Sequence, residues 1–284
     1  MDTFADRVLL LQSESARIKQ YLHALPPDAW ERPSACTQWQ VRDVVAHLAG
    51  VAEFYASSVA RGIQGDNAPP PGRPPAGTSG AMAGAESIAQ RAIAVRQRLG
   101  DQVLAAYTTT DDQLNRLLSG LSPQDREKPC YHPGGIVPAQ NFIDLRLKEL
   151  VMHEWDIRSC LKPDAHLSSA GLPAIMTTIS DSIASGSIPW AFWPGPRLST
   201  PVRYRFAVTG ISPRQTDIIV EGDTMRLAAA SDTPAHVTLR CDTEAYVLLM
   251  YGRLHLETSI AAGRVVVAGD RELATAFSRW FKGI

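Results

Sequence analysis

A single change of period constrains this chain more than any other feature. Up to "KPDAH" (Lys162–His166) the apolar residues recur at helical spacing, and beyond about residue 200 they fall in short strand-like runs. A sequence whose period changes once reads as two structures in series, and 284 residues suffice for two cores. The expected fold is a helical bundle over residues 1–165 followed by a small α+β domain over 166–284, with a linker near 186–201.

Within the first part, Phe4, Val8, Leu11, Ile18 and Leu22 mark a helix over 3–25, closed by "PPD". Thr37-x-x-Gln40 has capping-box spacing and predicts a second helix from near Trp39 to about Arg61. "GDNAPPPGRPPAGTSG" (65–80) is too rich in Pro and Gly for regular structure, so it reads as a connector or a lid. A third helix is expected over Ala85–Leu118, a loop over "SPQDREKPCYHPGG", and a fourth helix over Pro138–Leu161. Four long helices with such loops suggest a bundle. In the second part, a helix over 168–186 and the linker precede the runs "VRYRFAVT", "TDIIVEG", "MRLAAA", "AHVTLRC" and "GRVVVAG". These read as strands, with helices at "DTEAYVLLMYGR" and "DRELATAFSRWF".

Composition narrows the function. A net charge of −1 gives no electrostatic case for nucleic acid or an acidic membrane. No apolar run reaches about 18 residues, so no membrane span is expected. "MDTFADRVLLLQSES" lacks the basic-then-apolar form of a signal peptide, and Cys36, Cys130, Cys160 and Cys241 are scattered. The expectation is a cytoplasmic protein with reduced thiols, each a small buried hydrophobe.

The chemistry concentrates in "KELVMHEWD" (Lys148–Asp156). Glu149 and His153 stack one turn apart, on a side of the helix shared with Phe142, Leu145 and Met152. A carboxylate and an imidazole facing a core are costly unless both are paired. On the second helix His47 shares its face with Val44, Val51 and Phe54. Two imidazoles and a carboxylate make a zinc set of the catalytic kind, with one position left for water or substrate. The spacing alone also suits hydrogen-bonded core histidines, with Glu149 paired to Arg146 or Lys148.

"RPSACTQWQVRDVVAHLAG" and "KELVMHEWDIR" resemble two motifs of the mycothiol-dependent maleylpyruvate isomerase family, Cys-x-Gly-Trp-x-Val-Arg-Asp-x-x-x-His-Leu and Glu-x-x-x-His-x-Trp-Asp. That family belongs to the DinB-like metal-binding four-helix proteins. Its members carry a sterol-carrier-like tail, which "YGR" and "GRVVVAGD" resemble. The resemblance implies that His47, Glu149 and His153 bind zinc or another divalent metal, and that Trp155 and Asp156 fall on the Trp-Asp pair. Gln38 and Glu154 depart from the motifs without touching the ligand set.

The resemblance further implies mycothiol as thiol co-substrate, held as a thiolate at the open metal position. Asp43 or Asp156 could orient an imidazole from behind, and Asp156 and Arg253 are the candidate catalytic groups. Trp155 and His132 are candidate contacts for the thiol, His132 being otherwise a turn histidine. Trp190 and Trp193 would stack on a substrate or join the domains. Three functions follow. The first is S-transfer from mycothiol to an electrophilic or thio-sugar metabolite, as in relatives that serve lincosamide-type antibiotic assembly. The second is maleylpyruvate cis–trans isomerisation, and the third is non-catalytic metal or ligand binding.

Overall fold

The computed structural model describes residues 3–78, 81–185, 192–193, 195 and 197–282. It divides into two compact units, Met1–Gly171 and Leu172–Ile284.

The first unit is helical. Its elements are α1 (Phe4–His23), α2 (Val41–Ile63), α3 (Ala81–Leu99), α4 (Val103–Ser119), the single turn α5 (Pro123–Arg126) and α6 (Phe142–Arg158). Between α5 and α6 lies a hairpin of β1 (Pro129–His132) and β2 (Gly135–Pro138). The helix α2 is central, packing on α3, α4 and α6, while α1 closes the bundle against α4 and α6. Its apolar residues explain that position: Val41, Val44, Val45, Leu48, Ala52 and Val59 are all fully buried. From α6, Phe142, Ile143 and Leu147 are equally buried.

Three sequence expectations need correction. The expected helix over 85–118 is two helices, because Gly100 takes a left-handed φ of 53° that breaks α3 from α4. The capping box sits three residues later than expected: Gln40 is the N-cap, and its backbone N–H donates to Asp43 Oδ2 at 3.0 Å. The expected loop after α4 contains α5 and the hairpin. Gly62 at the end of α2 is what lets the hairpin approach, since a Cβ there would lie 2.2 Å from Cys130 Sγ and 2.9 Å from the Pro129 carbonyl. The Pro-rich segment after α2 lies on this hairpin. Tyr131 Oη donates to the Pro74 carbonyl at 2.6 Å, Gly77 N–H donates to Pro133 O at 2.9 Å, and the Arg73 guanidinium stands 4.5 Å over the Phe54 ring.

The second unit holds α7 (Leu172–Ser185), β3 (Val202–Thr209), β4 (Arg214–Glu221), β5 (Thr224–Ala229), β6 (Val237–Asp242), α8 (Thr243–Met250), α9 (Leu256–Ala261), β7 (Val265–Gly269) and α10 (Arg271–Ala276). The sheet order is β5-β4-β3-β6-β7, antiparallel except for the parallel pair β3–β6. Val202, Tyr204, Phe206 and Val208 alternate inward along β3, as a half-buried strand should. Asp217 on β4 is fully buried and bonded to Arg203 Nη1 at 2.7 Å and Arg205 Nε at 2.8 Å. Half of the expected linker, Trp190 included, lies outside the described residues; Trp193 N–H donates to the Trp280 carbonyl at 2.8 Å. Among the described residues no helix is long and apolar enough to cross a membrane.

Candidate metal centre

His47 stands two turns into α2, on the side that meets α6. On α6, Glu149 and His153 are four residues apart and share one face. Packing brings the three together: Glu149 Oε2 is 3.1 Å from His47 Nε2 and 3.3 Å from His153 Nε2. The rings of the two histidines meet edge to face, with centroids 4.8 Å apart. The three side chains are only 12–14 % exposed.

Both imidazoles thus turn Nε2 towards the same carboxylate oxygen. Burial would raise the Glu149 pKa, but hydrogen bonds from His153 and His47 outweigh it and hold the carboxyl well below its usual range. Burial would likewise lower His153, yet its bonds to Asp156, Cys36 and Glu149 push it well above an ordinary histidine. His47 is lowered, with burial the dominant cause, and keeps a neutral ring. His153 thus lies between two carboxylates, Asp156 and Glu149, and both favour its charged form.

The same atoms suit a metal ion. Tetrahedral ligands at about 2.0–2.2 Å stand roughly 3.3–3.5 Å from one another. The observed separations of 3.1 and 3.3 Å are close to that, and the three donor atoms all lie within 4.8 Å of one another. Two imidazoles and one carboxylate from a preformed bundle match the donor set of an open divalent site.

Behind His153 lies a second layer. Asp156 is fully buried, and its Oδ2 accepts from His153 Nδ1 at 2.9 Å and from the Cys36 thiol at 3.1 Å. The backbone N–H of Ala35 donates to the Asp156 carbonyl at 2.9 Å, fixing the segment before α2 to α6. Cys36, His153 and Asp156 form a second group of potential ligands. Their atoms are already bonded to one another, which suits support better than a separate site. Trp39 covers the pair of rings, its centroid 4.9 Å from His47 and 6.0 Å from His153.

The remaining sequence candidates scatter. Asp43 does not reach His47: its Oδ1 accepts from Arg96 Nε at 2.8 Å and its Oδ2 caps α2. Trp155 is buried, with Nε1 donating to the Ala165 carbonyl at 3.1 Å. His132 packs against Tyr55 and Phe142, and burial, reinforced by the Lys148 charge, pushes its pKa down to about 4. Arg253 belongs to the second unit, where its Nη1 donates to the Tyr251 carbonyl at 3.2 Å. Glu149 is not paired with Arg146; Lys148 Nζ is 3.6 Å from its other oxygen. Cys36, read from sequence as a plain buried hydrophobe, and Trp39 are the residues that reading missed. Both lie inside the quoted first motif, which was their only signal.

The chain is similar to known proteins along nearly its whole length. A family model described as the mycothiol maleylpyruvate isomerase N-terminal domain matches residues 11–158, more than half of the chain. A second, the SCP-2 sterol transfer family, matches residues 200–282. Among solved structures, the mycothiol-dependent maleylpyruvate isomerase is similar at 15% identity, covering 94% of this chain and 96% of its own, with a TM-score of 0.62. A histidine-to-alanine mutant of that enzyme is similar to the same extent, at a TM-score of 0.63. At such identity these likenesses speak for the fold, a helical region followed by a small mixed sheet domain. No curated protein matches the chain. The family description names an isomerase and no S-transferase, which favours the isomerase expectation at the level of the family alone. On the span of the first match, the chain belongs to the mycothiol maleylpyruvate isomerase N-terminal domain family.

Proposed function

We propose that this protein is a metal-assisted, thiol-dependent isomerase of small unsaturated carbonyl acids, with mycothiol as the thiol. The observation that carries the reading is the convergence of His47 Nε2, His153 Nε2 and Glu149 Oε2 at 3.1 and 3.3 Å in a nearly buried pocket. A divalent ion held by these three would lower the pKa of a thiol beside it and make thiolate available at neutral pH.

The chain's own residues prepare that site. Asp156 keeps a proton on His153 Nδ1, which leaves Nε2 as the donor towards the pocket. Burial keeps His47 neutral, and Glu149 supplies the one negative charge among the ligands. Trp39 covers both rings and limits water. Thiolate adds to the carbon–carbon double bond, the electrons move onto the conjugated carbonyl as an enolate, and rotation follows about what is now a single bond. Expulsion of the thiolate restores the double bond in the other geometry, so the thiol is regenerated.

The test is to load the protein with zinc and supply mycothiol with maleylpyruvate, following cis-to-trans conversion by absorbance and products by mass spectrometry. Catalytic conversion with the thiol unconsumed is expected, and it should disappear in His153→Ala together with the metal. Stable sulfur adducts with thiol consumption would instead establish S-transfer. Bound metal with neither outcome on these or other electrophiles would leave a binding protein.

A further inference from the structure

The metal reading leaves Arg146 unused, although among the described residues it is the largest charged side chain that is fully buried. It lies on α6 three residues before Glu149 and seven before His153, hence on the same stripe of the helix. Its Nη1 donates to the Leu48 carbonyl at 3.0 Å, and Leu48 is the residue after His47. Its Nη2 donates to Asp111 Oδ1 on α4 at 2.9 Å. Asp111 is itself fixed: its other oxygen takes Lys19 Nζ at 2.8 Å, Asn115 Nδ2 at 3.1 Å and the Ser15 hydroxyl.

We infer that Arg146 is a positioning residue for the metal centre, a planar fork that fixes the ligand-bearing turn of α2 against the ligand-bearing turn of α6. The inference rests on the metal reading above. The two ligand helices are distant in sequence, and apolar packing between them is non-directional. A directed bond from α6 to the backbone beside His47 removes that freedom. The guanidinium suits the task because its two N–H groups point in fixed directions to two different helices. A lysine ammonium is a point charge and cannot hold both partners in one geometry.

A competing effect has the opposite sign. A buried cation near His47 opposes a divalent ion, so removing it would tighten binding if repulsion dominated. Asp111 neutralises Arg146 at contact distance, which reduces the repulsion and leaves positioning as the larger effect. The sign of the change in affinity therefore decides between them.

The experiment titrates full-length protein with Co²⁺, whose visible spectrum reports ligand geometry. For Arg146→Met the Kd should rise about 10–100-fold, as for loss of other groups that orient ligands, and the spectrum at saturation should change. Arg146→Lys should give a smaller rise. Asp217→Asn, which breaks a buried ion pair in the other unit, should lower the melting temperature but leave Kd and spectrum alone. An unchanged or tighter Kd with the original spectrum in Arg146→Met overturns the inference. If that variant does not fold, Arg146→Lys decides, and an unaltered Kd there overturns it equally. Failure of the unsubstituted chain to bind Co²⁺ removes the metal reading and this inference together. Binding by the unsubstituted chain with no effect of Arg146 removes this inference alone.

Discussion

Glu149 Oε2 is the atom on which the centre turns, because both histidine Nε2 atoms address it. Glu149→Gln keeps the size, removes the charge and weakens the donor. It should lose most bound zinc, and metal analysis beside thiol-dependent turnover is the check. Normal zinc with normal turnover would show that Glu149 is not a ligand. Asp156→Asn probes the layer behind. An amide can turn its own N–H towards His153 Nδ1, which places the ring proton on Nε2 and blocks that donor. Zinc affinity should fall about 10–100-fold while the helical circular dichroism is unchanged. The convergence of these three side chains is legible in sequence because i,i+4 spacing and an inward face are periodic properties. Cys36 was not, since nothing in "ACTQW" announces that its thiol will meet a carboxylate 120 residues away. In sequence Arg146 is one of two alternative partners for Glu149, with Lys148, and only the course of α4 shows that Asp111 claims it.

At the scale of elements, the close approach of α2 and the hairpin depends on one missing side chain. Gly62→Ala would drive a methyl into Cys130 Sγ and the Pro129 carbonyl and should destabilise the protein by about 1–3 kcal/mol. Chemical denaturation measures this, and Cys130→Ala in the same chain should recover part of the loss. The pair β3–β4 has a different weak point. Burial alone would raise the Asp217 pKa, but hydrogen bonds from Arg205 and Arg203 hold it below the ordinary aspartate value. A carboxyl with a depressed folded pKa stabilises above its unfolded value, and the contribution is lost as pH falls through the folded one. Asp217→Asn should therefore cost about 3 kcal/mol at pH 7 and progressively less below about pH 4, as urea midpoints across that range would show. Strand positions were readable from alternation and helix positions from apolar spacing. The division of 85–118 into two helices was not, because helical residues flank Gly100 on both sides and its positive φ is a backbone property. The hairpin within "SPQDREKPCYHPGG" escaped for a related reason: four-residue strands are too short to show a period.

For the whole molecule, every proposed ligand and its supporting layer belong to Met1–Gly171, a compact unit in itself. Residues 1–171 expressed alone should fold and bind zinc with an affinity within a few fold of the full chain. Calorimetric titration of the two side by side checks this, and a fragment that folds but takes up no zinc would contradict it. The change of period in the sequence reads as a helical part followed by a mixed-sheet part, since a helical and an alternating apolar pattern belong to different layers.

His47 and Glu149 are 102 residues apart, and that distance orders events in time. Before the bundle closes, a nascent chain can offer an ion only the adjacent pair Glu149 and His153, a weak bidentate grip. The full set is a non-local contact and must wait for closure of the whole intervening loop. Under the metal reading, uptake would be a late, assembly-dependent step, and its rate in a refolding experiment should follow the slowest docking of α6 rather than the first appearance of helix. The centre would then act as a check on assembly, because a bundle that had formed its helices but mispacked α6 would not retain the ion.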